Sequence, residues 1–456
     1  MSHEVTSSTT TTALVVPDKN TPLVLQQVEL NGPMQDEVLV EIHATGICHT
    51  DLSCMNGTLP ISTPAVLGHE GAGTVVSVGS DVQHVTRSDK VLLSINHCQR
   101  CSHCSSGHPN YCVQGMPRNF GGGRLDEAQS APIHLPATHV TPSPSPSPSP
   151  SPSPSRSTAA PSPCFGNFFG QSSFARLAVV NASCVVKVSR DTDLALFAPL
   201  GCGISTGVGC VLNTLDVQPH STLAVFGAGS VGLAAVMAAR MRGADVIVAI
   251  DLNEARLTLA RRLGATHVVC ARDEDVLSRV QEVVAEGVGY AVDCTGVPSV
   301  IETMMECLAI RGRAAQVGIP PPDKTVPVKI LQHLLRGQEY VGCAGGDCVP
   351  SQMIPYLIRQ QEEGRFPLED MVEYYDVKDH ERAFEDVKSG KVVKAVITWS
   401  SIPSLYMTQD IGCVGTQHEP GITHVQERVV EMTTNKTSWT GLGATIDTRG
   451  LGGSGS

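Results

Sequence analysis

Basic charge is scarce in this sequence. Lys and Arg number 32 against 44 Asp and Glu, which leaves a net charge of −12 and an isoelectric point near 5.7. That balance gives no cationic footprint for nucleic acid or for an acidic membrane. No apolar run approaches the roughly 20 residues that span a bilayer. The N-terminus, "MSHEVTSSTTTTALVV", lacks the basic start and apolar core of a secretory signal. It is Ser-rich like a transit peptide, yet no arginine precedes Arg87. A soluble, cytoplasmic protein with no nucleic-acid or membrane partner is expected. Its 456 residues, 41% hydrophobic, suffice for two or three domains.

Cysteine, by contrast, is plentiful at 16 residues. With no export signal, clustered thiols point to metal rather than disulfides. The stretch "HCQRCSHCSSGHPNYC" places Cys98, Cys101, Cys104 and Cys112 in a C-x2-C-x2-C-x7-C ladder. Four thiolates at that spacing can close tetrahedrally around one zinc ion and leave no position for a substrate. A redox reading needs only one C-x-x-C opening a helix, and the Gly, Pro and Ser here oppose a helix. An iron–sulfur cluster fits the ligands, but nothing else suggests electron transfer. The expected occupant is structural zinc.

The first 125 residues hold short, glycine-punctuated β runs, and Val38, Val40 and Ile42 alternate as in a half-buried strand. From about residue 204 strand and helix alternate. "TLAVFGAG", "SVGLAAVMAARMRGA" and "DVIVAID" read as a βαβ unit, and "YAVDCTG" and "RAAQVGIP" continue it. The expected class is α/β: a β-rich domain over 1–203, a doubly wound parallel-sheet domain over 204–342, and a return to the first over 343–400. "TPSPSPSPSPSPSPS" (141–155) favours polyproline II and forms no core, so a tolerated surface insertion of about 128–157 is expected over a phosphorylated or partner-binding arm. The glycine-rich tail, 401–456, is expected to be disordered.

Three further segments set potential ligands beside glycines: "GICHTD" with Cys48, "GHEGAG" with His69 and Glu70, and "GCGISTG" with Cys202. Taken singly, a cysteine is usually a small buried hydrophobe and a His-Glu pair is usually solvated. Their order ahead of a dinucleotide motif makes them specific. Gly227, Gly229 and Gly232 form G-x-G-x-x-G between a strand and a helix, and Asp251 follows Gly232 by 19 residues. Such glycines let a pyrophosphate approach the helix N-terminus, and the acidic residue suits the adenosine ribose of NAD.

These motifs together resemble the zinc-dependent medium-chain alcohol dehydrogenases, over roughly residues 13–126 and 160–400. "FFGQSSFA" (168–175), "VDCTGVPS" (292–299) and "GDCVPSQMIPYLI" are most similar to aryl- or benzyl-alcohol dehydrogenases and to fungal enzymes of secondary metabolism. The resemblance implies a GroES-like catalytic domain and a Rossmann domain with the active site between them. It implies that Cys48, His69 and Cys202 hold a catalytic zinc, and that the cysteine ladder is the structural-zinc lobe. Asp51 then orients the ligand histidine, Glu70 stands behind the metal, and Thr50 receives the alcohol proton. His49 and Lys394 match positions that contact the cofactor pyrophosphate. Liver-type members carry a histidine five positions after the first ligand. Here that residue is Ser53, so His49 or water takes over the next proton step.

The implied activity is that of an NAD-dependent zinc alcohol dehydrogenase, acting on a primary alcohol or aldehyde on an aromatic or other hydrophobic ring, as a homodimer or homotetramer. A glutathione-linked formaldehyde dehydrogenase and a non-enzymatic zinc and nucleotide binder remain open alternatives.

Overall fold

The computed structural model of the protein describes residues 8–125, 132–136, 162–272 and 275–402. The Ser-Pro stretch and the tail beyond residue 402 lie outside the described residues. Among the described residues no single helix is long and apolar enough to cross a membrane.

Three sheets carry the fold. The parallel one runs in the order His267–Cys270, Val246–Asp251, Thr222–Phe226, Val288–Asp293, Leu308–Gln316, Glu339–Gly342. In chain order that is 3-2-1-4-5-6, the dinucleotide-binding arrangement, in which the order reverses at the strand leading into the glycine turn. Its central strands Thr222–Phe226 and Val246–Asp251 read as nearly continuous apolar runs because both faces are covered. Leu223 and Val225 enter one buried cluster, whereas Ala224 and Phe226 enter another on the opposite face. Ile247 and Ala249 alternate with Val248 and Ile250 in the same way. The helix Ser230–Arg242 follows the glycine turn and ends on Gly243, whose φ of 76° closes it in the left-handed conformation.

A mixed sheet is centred on Glu37–Gly46, flanked by Gly71–Val78, Leu177–Asn181 and Lys394–Thr398. The last of these brings the end of the described chain back onto its beginning, with Val396 opposite Gly46. Val38, Val40 and Ile42 were expected on a half-buried strand. They are instead part of one buried on both faces, since Leu39 and Glu41 are buried as well. Glu41 tolerates this because the Arg176 guanidinium lies 2.9 Å away.

A third, antiparallel sheet includes Thr9–Val16, Val24–Leu30, Ile133–Leu135 and Ser162–Cys164. Residues 133–135 fall inside the stretch expected to be low-complexity insertion, and the structure corrects that boundary. Ile133 pairs with Leu30 and is buried, so an apolar side chain anchors a strand here. Ile133–Leu135 and Ser162–Cys164 pair antiparallel, with Leu135 opposite Ser162. The chain therefore leaves and re-enters one ladder at adjacent positions.

Because those two strands hold each other in register, deleting 141–155 leaves enough chain to reconnect them. The deletion is expected to keep the melting temperature within about 2 °C, as for a surface change within ±0.5 kcal/mol. Calorimetry on the deletion variant checks it; a drop of 10 °C would show the segment to be part of the folded unit.

Candidate active site and metal centres

Cys48 caps the helix His49–Met55, and the Asp51 carboxylate accepts the Cys48 N–H through Oδ2 at 2.9 Å. Through Oδ1 the same carboxylate accepts the Gly68 N–H and the His69 Nδ1–H, both at 3.1 Å. Asp51 is wholly buried, so this one side chain ties the first ligand segment to the second. With Nδ1 donating, the lone pair of His69 is on Nε2, which is buried and has no hydrogen-bond partner. The donor atoms of Cys48, His69, Glu70 and Cys202 all lie within 4.8 Å of one another. An orphaned imidazole nitrogen facing two thiols is what a zinc ion fits, for the metal satisfies all three. The geometry thus assembles the expected set from three distant segments.

Glu70 does not face the cleft freely. Lys394 Nζ lies 2.9 Å from both of its carboxylate oxygens and 3.1 Å from the Ile47 carbonyl, and the Gly203 N–H reaches Oε1 at 3.3 Å. Burial works against the Lys394 ammonium, but the facing Glu70 carboxylate together with the Cys48 and Cys202 sulfurs holds the lysine above its usual range. This corrects the expectation that Lys394 contacts a pyrophosphate. Its three donors are already taken, it is 1% exposed, and it does not line the cleft.

The cleft has a volume of about 940 Å³ and is lined at one end by Cys48, His49, Thr50, Ser53 and Cys202. Thr50 Oγ1 lies 3.8 Å from Cys48 Sγ. The wall around these residues is apolar, with Ile95, Met116, Phe120 and Phe169 among its members. The Phe169 ring stacks on the His69 imidazole with centroids 4.5 Å apart, and Phe120 meets Phe169 edge-on at 5.1 Å. Sequence reasoning did not place these wall residues. It also missed Gln171, which is buried and bonds the carbonyls of His69 and Ser94 at 3.0 and 2.9 Å while accepting the Gly71 N–H at 3.1 Å. The stretch "FFGQSSFA" contains Phe169 and Gln171, but nothing local told their contacts.

At the other end of the cleft lie Gly227, Gly229, Gly232 and Asp251. A Cβ on Gly232 would run into the Gly227 carbonyl, so the helix closes on the turn only with glycine there. A Cβ on Gly229 would meet nothing within 4 Å, which marks open space over the helix N-terminus where a pyrophosphate fits. Asp251 accepts the amides of Ala228 and Asn253 at 2.6 and 2.8 Å. The basic side chain that does line this end is Arg256, whose buried Nε has no partner.

The ladder forms a second cluster. The sulfurs of Cys98, Cys101, Cys104 and Cys112 are within 4.8 Å of one another. The expectation of no helix is corrected by two short turns, Ser102–Ser105, capped by Cys101, and the 3-10 turn Pro109–Tyr111. Amides of Cys104 and Val113 point at the Cys101 sulfur and lower its pKa to about 6. Burial and the facing thiols push Cys104 up to about 12. Four sulfurs this close need a cation to shed their shared protons, and zinc fits that demand.

Known proteins are similar to this chain in sequence and in fold. The alcohol dehydrogenase GroES-like domain matches residues 34–145 and the zinc-binding dehydrogenase family matches residues 230–362. A geraniol dehydrogenase from Castellaniella defragrans is 37% identical over 380 residues, 83% of this chain and 95% of that protein. An S-(hydroxymethyl)glutathione dehydrogenase from Synechocystis is 32% identical, covering 82% and 96%. The crystal structure of benzyl alcohol dehydrogenase from Acinetobacter calcoaceticus superimposes with a TM-score of 0.77 at 35% identity, over 86% of this chain and 99% of that one.

Asp51→Asn keeps the shape but weakens the pull on His69, so metal affinity at the Cys48–His69–Cys202 site is expected to fall about 10–100-fold. Competition with a chromogenic chelator reads this directly. Cys101→Ser is expected to remove one zinc per chain and lower the melting temperature, seen by elemental analysis and calorimetry. One zinc or fewer in folded wild type would contradict the two-site assignment.

Proposed function

The chain belongs to the zinc-dependent medium-chain alcohol dehydrogenases, and on that premise we propose that it exchanges a hydride between NAD and a neutral primary alcohol or its aldehyde, the substrate body being an aromatic or similarly apolar group. The observation that carries this reading is the single cleft that joins the three-ligand set, the glycine turn and a wall of Phe120, Phe169, Ile95 and Met116. Zinc, when bound, supplies a Lewis acid at the substrate oxygen. In this reading Asp51 holds His69 in the ligating tautomer, and Gln171 and the Lys394–Glu70 pair keep the ligand segments in place. Thr50 takes the hydroxyl proton at Oγ1, and Ser53, His49 or water carries it on, since both side chains line the cleft and His49 is exposed. The apolar wall excludes bulk water from the reacting carbon.

The relatives named for geraniol and for benzyl alcohol support an apolar primary alcohol as the substrate class. The relative named for S-(hydroxymethyl)glutathione favours the second reading. That substrate carries carboxylates, whereas the described lining near Thr50 offers Ser53, Asn96, Asn119 and apolar groups but no cation. A panel of alcohols followed by NADH absorbance is expected to rank benzylic and allylic alcohols above ethanol by at least about tenfold in kcat/KM, the yield of one well-buried apolar group. Formaldehyde turnover that depends on glutathione would reverse the order of the two readings. NADH binding without turnover of any substrate would leave only the binding-protein alternative.

NAD rather than NADP follows from Asp251. Its carboxylate can accept the ribose hydroxyls and repels a 2′-phosphate, while Arg256 offsets part of that repulsion. A difference of ~3 kcal/mol corresponds to a preference on the order of a hundredfold. Asp251→Ser is expected to lower kcat/KM with NAD and raise it with NADP, Arg256 being left to face the phosphate. Wild type preferring NADP would refute the role.

A homodimer or homotetramer, and a cytoplasmic location, complete the proposal. Two thiol clusters suited to zinc fit a reducing compartment, where cysteines stay available to metal. Ile330, Leu331, Leu334 and Leu335 are 80, 68, 72 and 73% exposed, next in sequence to the sheet-edge strand Glu339–Gly342. So large an apolar row calls for cover. Leu331→Glu with Leu334→Glu is expected to shift the light-scattering mass to that of one chain.

A further inference from the structure

The turn Ala344–Cys348 is built under constraint. Gly345, Gly346 and Asp347 take φ values of 57°, 71° and 50°, three left-handed residues in succession. Asp347 is the one non-glycine among them, and aspartate adopts that conformation more readily than most residues only because its short polar side chain can hydrogen-bond locally. Such geometry persists only where the surroundings over-determine it.

Here the surroundings come from two sides. From the chain beneath, Thr214 Oγ1 donates to Asp347 Oδ2 at 2.7 Å, and Asn213 Nδ2 reaches the carbonyls of Gly346 and Asp347, both at 3.2 Å. From across the cleft comes the four-thiol loop. Tyr111 OH donates to Asp347 Oδ1 at 2.5 Å and accepts the Ala344 N–H at 3.2 Å. Asn110 Nδ2 donates to the Cys348 carbonyl at 2.8 Å. A Cβ on Gly345 would run into the Asn110 amide, so the two loops touch without a gap. Asn110 and Tyr111 immediately precede Cys112, and the loop that carries them is anchored by the thiol cluster.

The place of this contact in the cleft gives it meaning. Asp251 ends the strand on one side of the glycine turn, while Val288–Asp293, Leu308–Gln316 and Glu339–Gly342 lie on the other. A dinucleotide with its adenosine ribose at Asp251 extends its second nucleoside over the ends of those three strands. Thr295, Val317–Ile319 and Gly342–Gly345 line that part of the cleft, and Asn110 and Tyr111 line it with them.

We propose that Asn110 and Tyr111 are positioning residues that latch the four-thiol loop onto the Ala344–Cys348 turn and so fix the backbone against which the nicotinamide half of the cofactor lies. The proposal rests on the dehydrogenase reading above. It gives the structural-metal loop a role in cofactor binding.

The test uses the full-length, zinc-loaded protein with Tyr111→Phe, Asn110→Ala and both together. NADH affinity is read by fluorescence titration, and KM for NAD and for the alcohol are determined separately. Loss of these three bonds in the double variant is expected to weaken NADH binding at least about fivefold, the scale of one or two net hydrogen bonds. KM for NAD rises with it, while KM for the alcohol and the zinc content stay within twofold. Hydrogen exchange of the 342–348 peptide accelerates in the same variants. Tyr111→Phe preserves the ring and its packing, so a folded variant with exchange rates at 342–348 and NADH affinity equal to wild type overturns the latch. A wild type that binds no NADH overturns the dehydrogenase reading instead, while the exchange rates still decide whether the two loops are fastened.

Discussion

One buried carboxylate holds the candidate active site together. Asp51 accepts hydrogen bonds from Cys48 N, Gly68 N and His69 Nδ1, and so joins the helix His49–Met55 to the segment that carries His69. Each bond alone is ordinary. Their convergence on a carboxylate with no solvent exposure is not, because water cannot replace any of them. Removing one partner from a buried charged network costs about 3–5 kcal/mol. The free Nε2 of His69 and its closeness to Cys48 depend on that constraint.

A second layer of buried polar groups extends it. Gln171 spans the carbonyls of His69 and Ser94, and the Lys394–Glu70 pair fastens the returning strand behind the ligand set. None of these side chains offers a reacting atom to the open cleft. Their work is to keep flexible, glycine-rich segments from drifting, which matters because misplacement of about 1 Å can cost a hundredfold in rate. The thiol cluster at 98–112 extends the same logic to the cleft's far wall, where Asn110 and Tyr111 meet the turn at 344–348. In the proposed reading, that contact couples the stability of the thiol loop to the geometry of the cofactor site.

Much of this was legible because its signals are short-range. The C-x2-C-x2-C-x7-C ladder brings four sulfurs together within one loop, and the glycine turn lies between one strand and one helix. Neither needs knowledge of the distant chain. Where expectation and structure part, the reason is a long-range contact. Lys394 was assigned to the cofactor by position, but its ammonium meets a carboxylate 324 residues earlier in the chain. Ile133 fell inside the expected insertion of about 128–157, but Leu30 is its partner across the antiparallel ladder. Val38, Val40 and Ile42 alternated as for one wet face, and only the Arg176–Glu41 pair explains why both faces are dry.

By itself the sequence determined which atoms this protein can bring to a metal and to a dinucleotide. Thiol spacing, a Gly-rich turn and an acidic strand end are written in a handful of adjacent residues, and local backbone geometry does the rest. Tertiary structure alone decided how those atoms are held and what surrounds them. Phe169 lies against His69, Arg256 takes a place in the cleft that Lys394 does not reach, and Tyr111 closes on Asp347. The physical reason is that packing selects contacts by shape and desolvation across the whole chain. Two side chains a hundred or more residues apart carry no mark of each other until the sheets between them are in place.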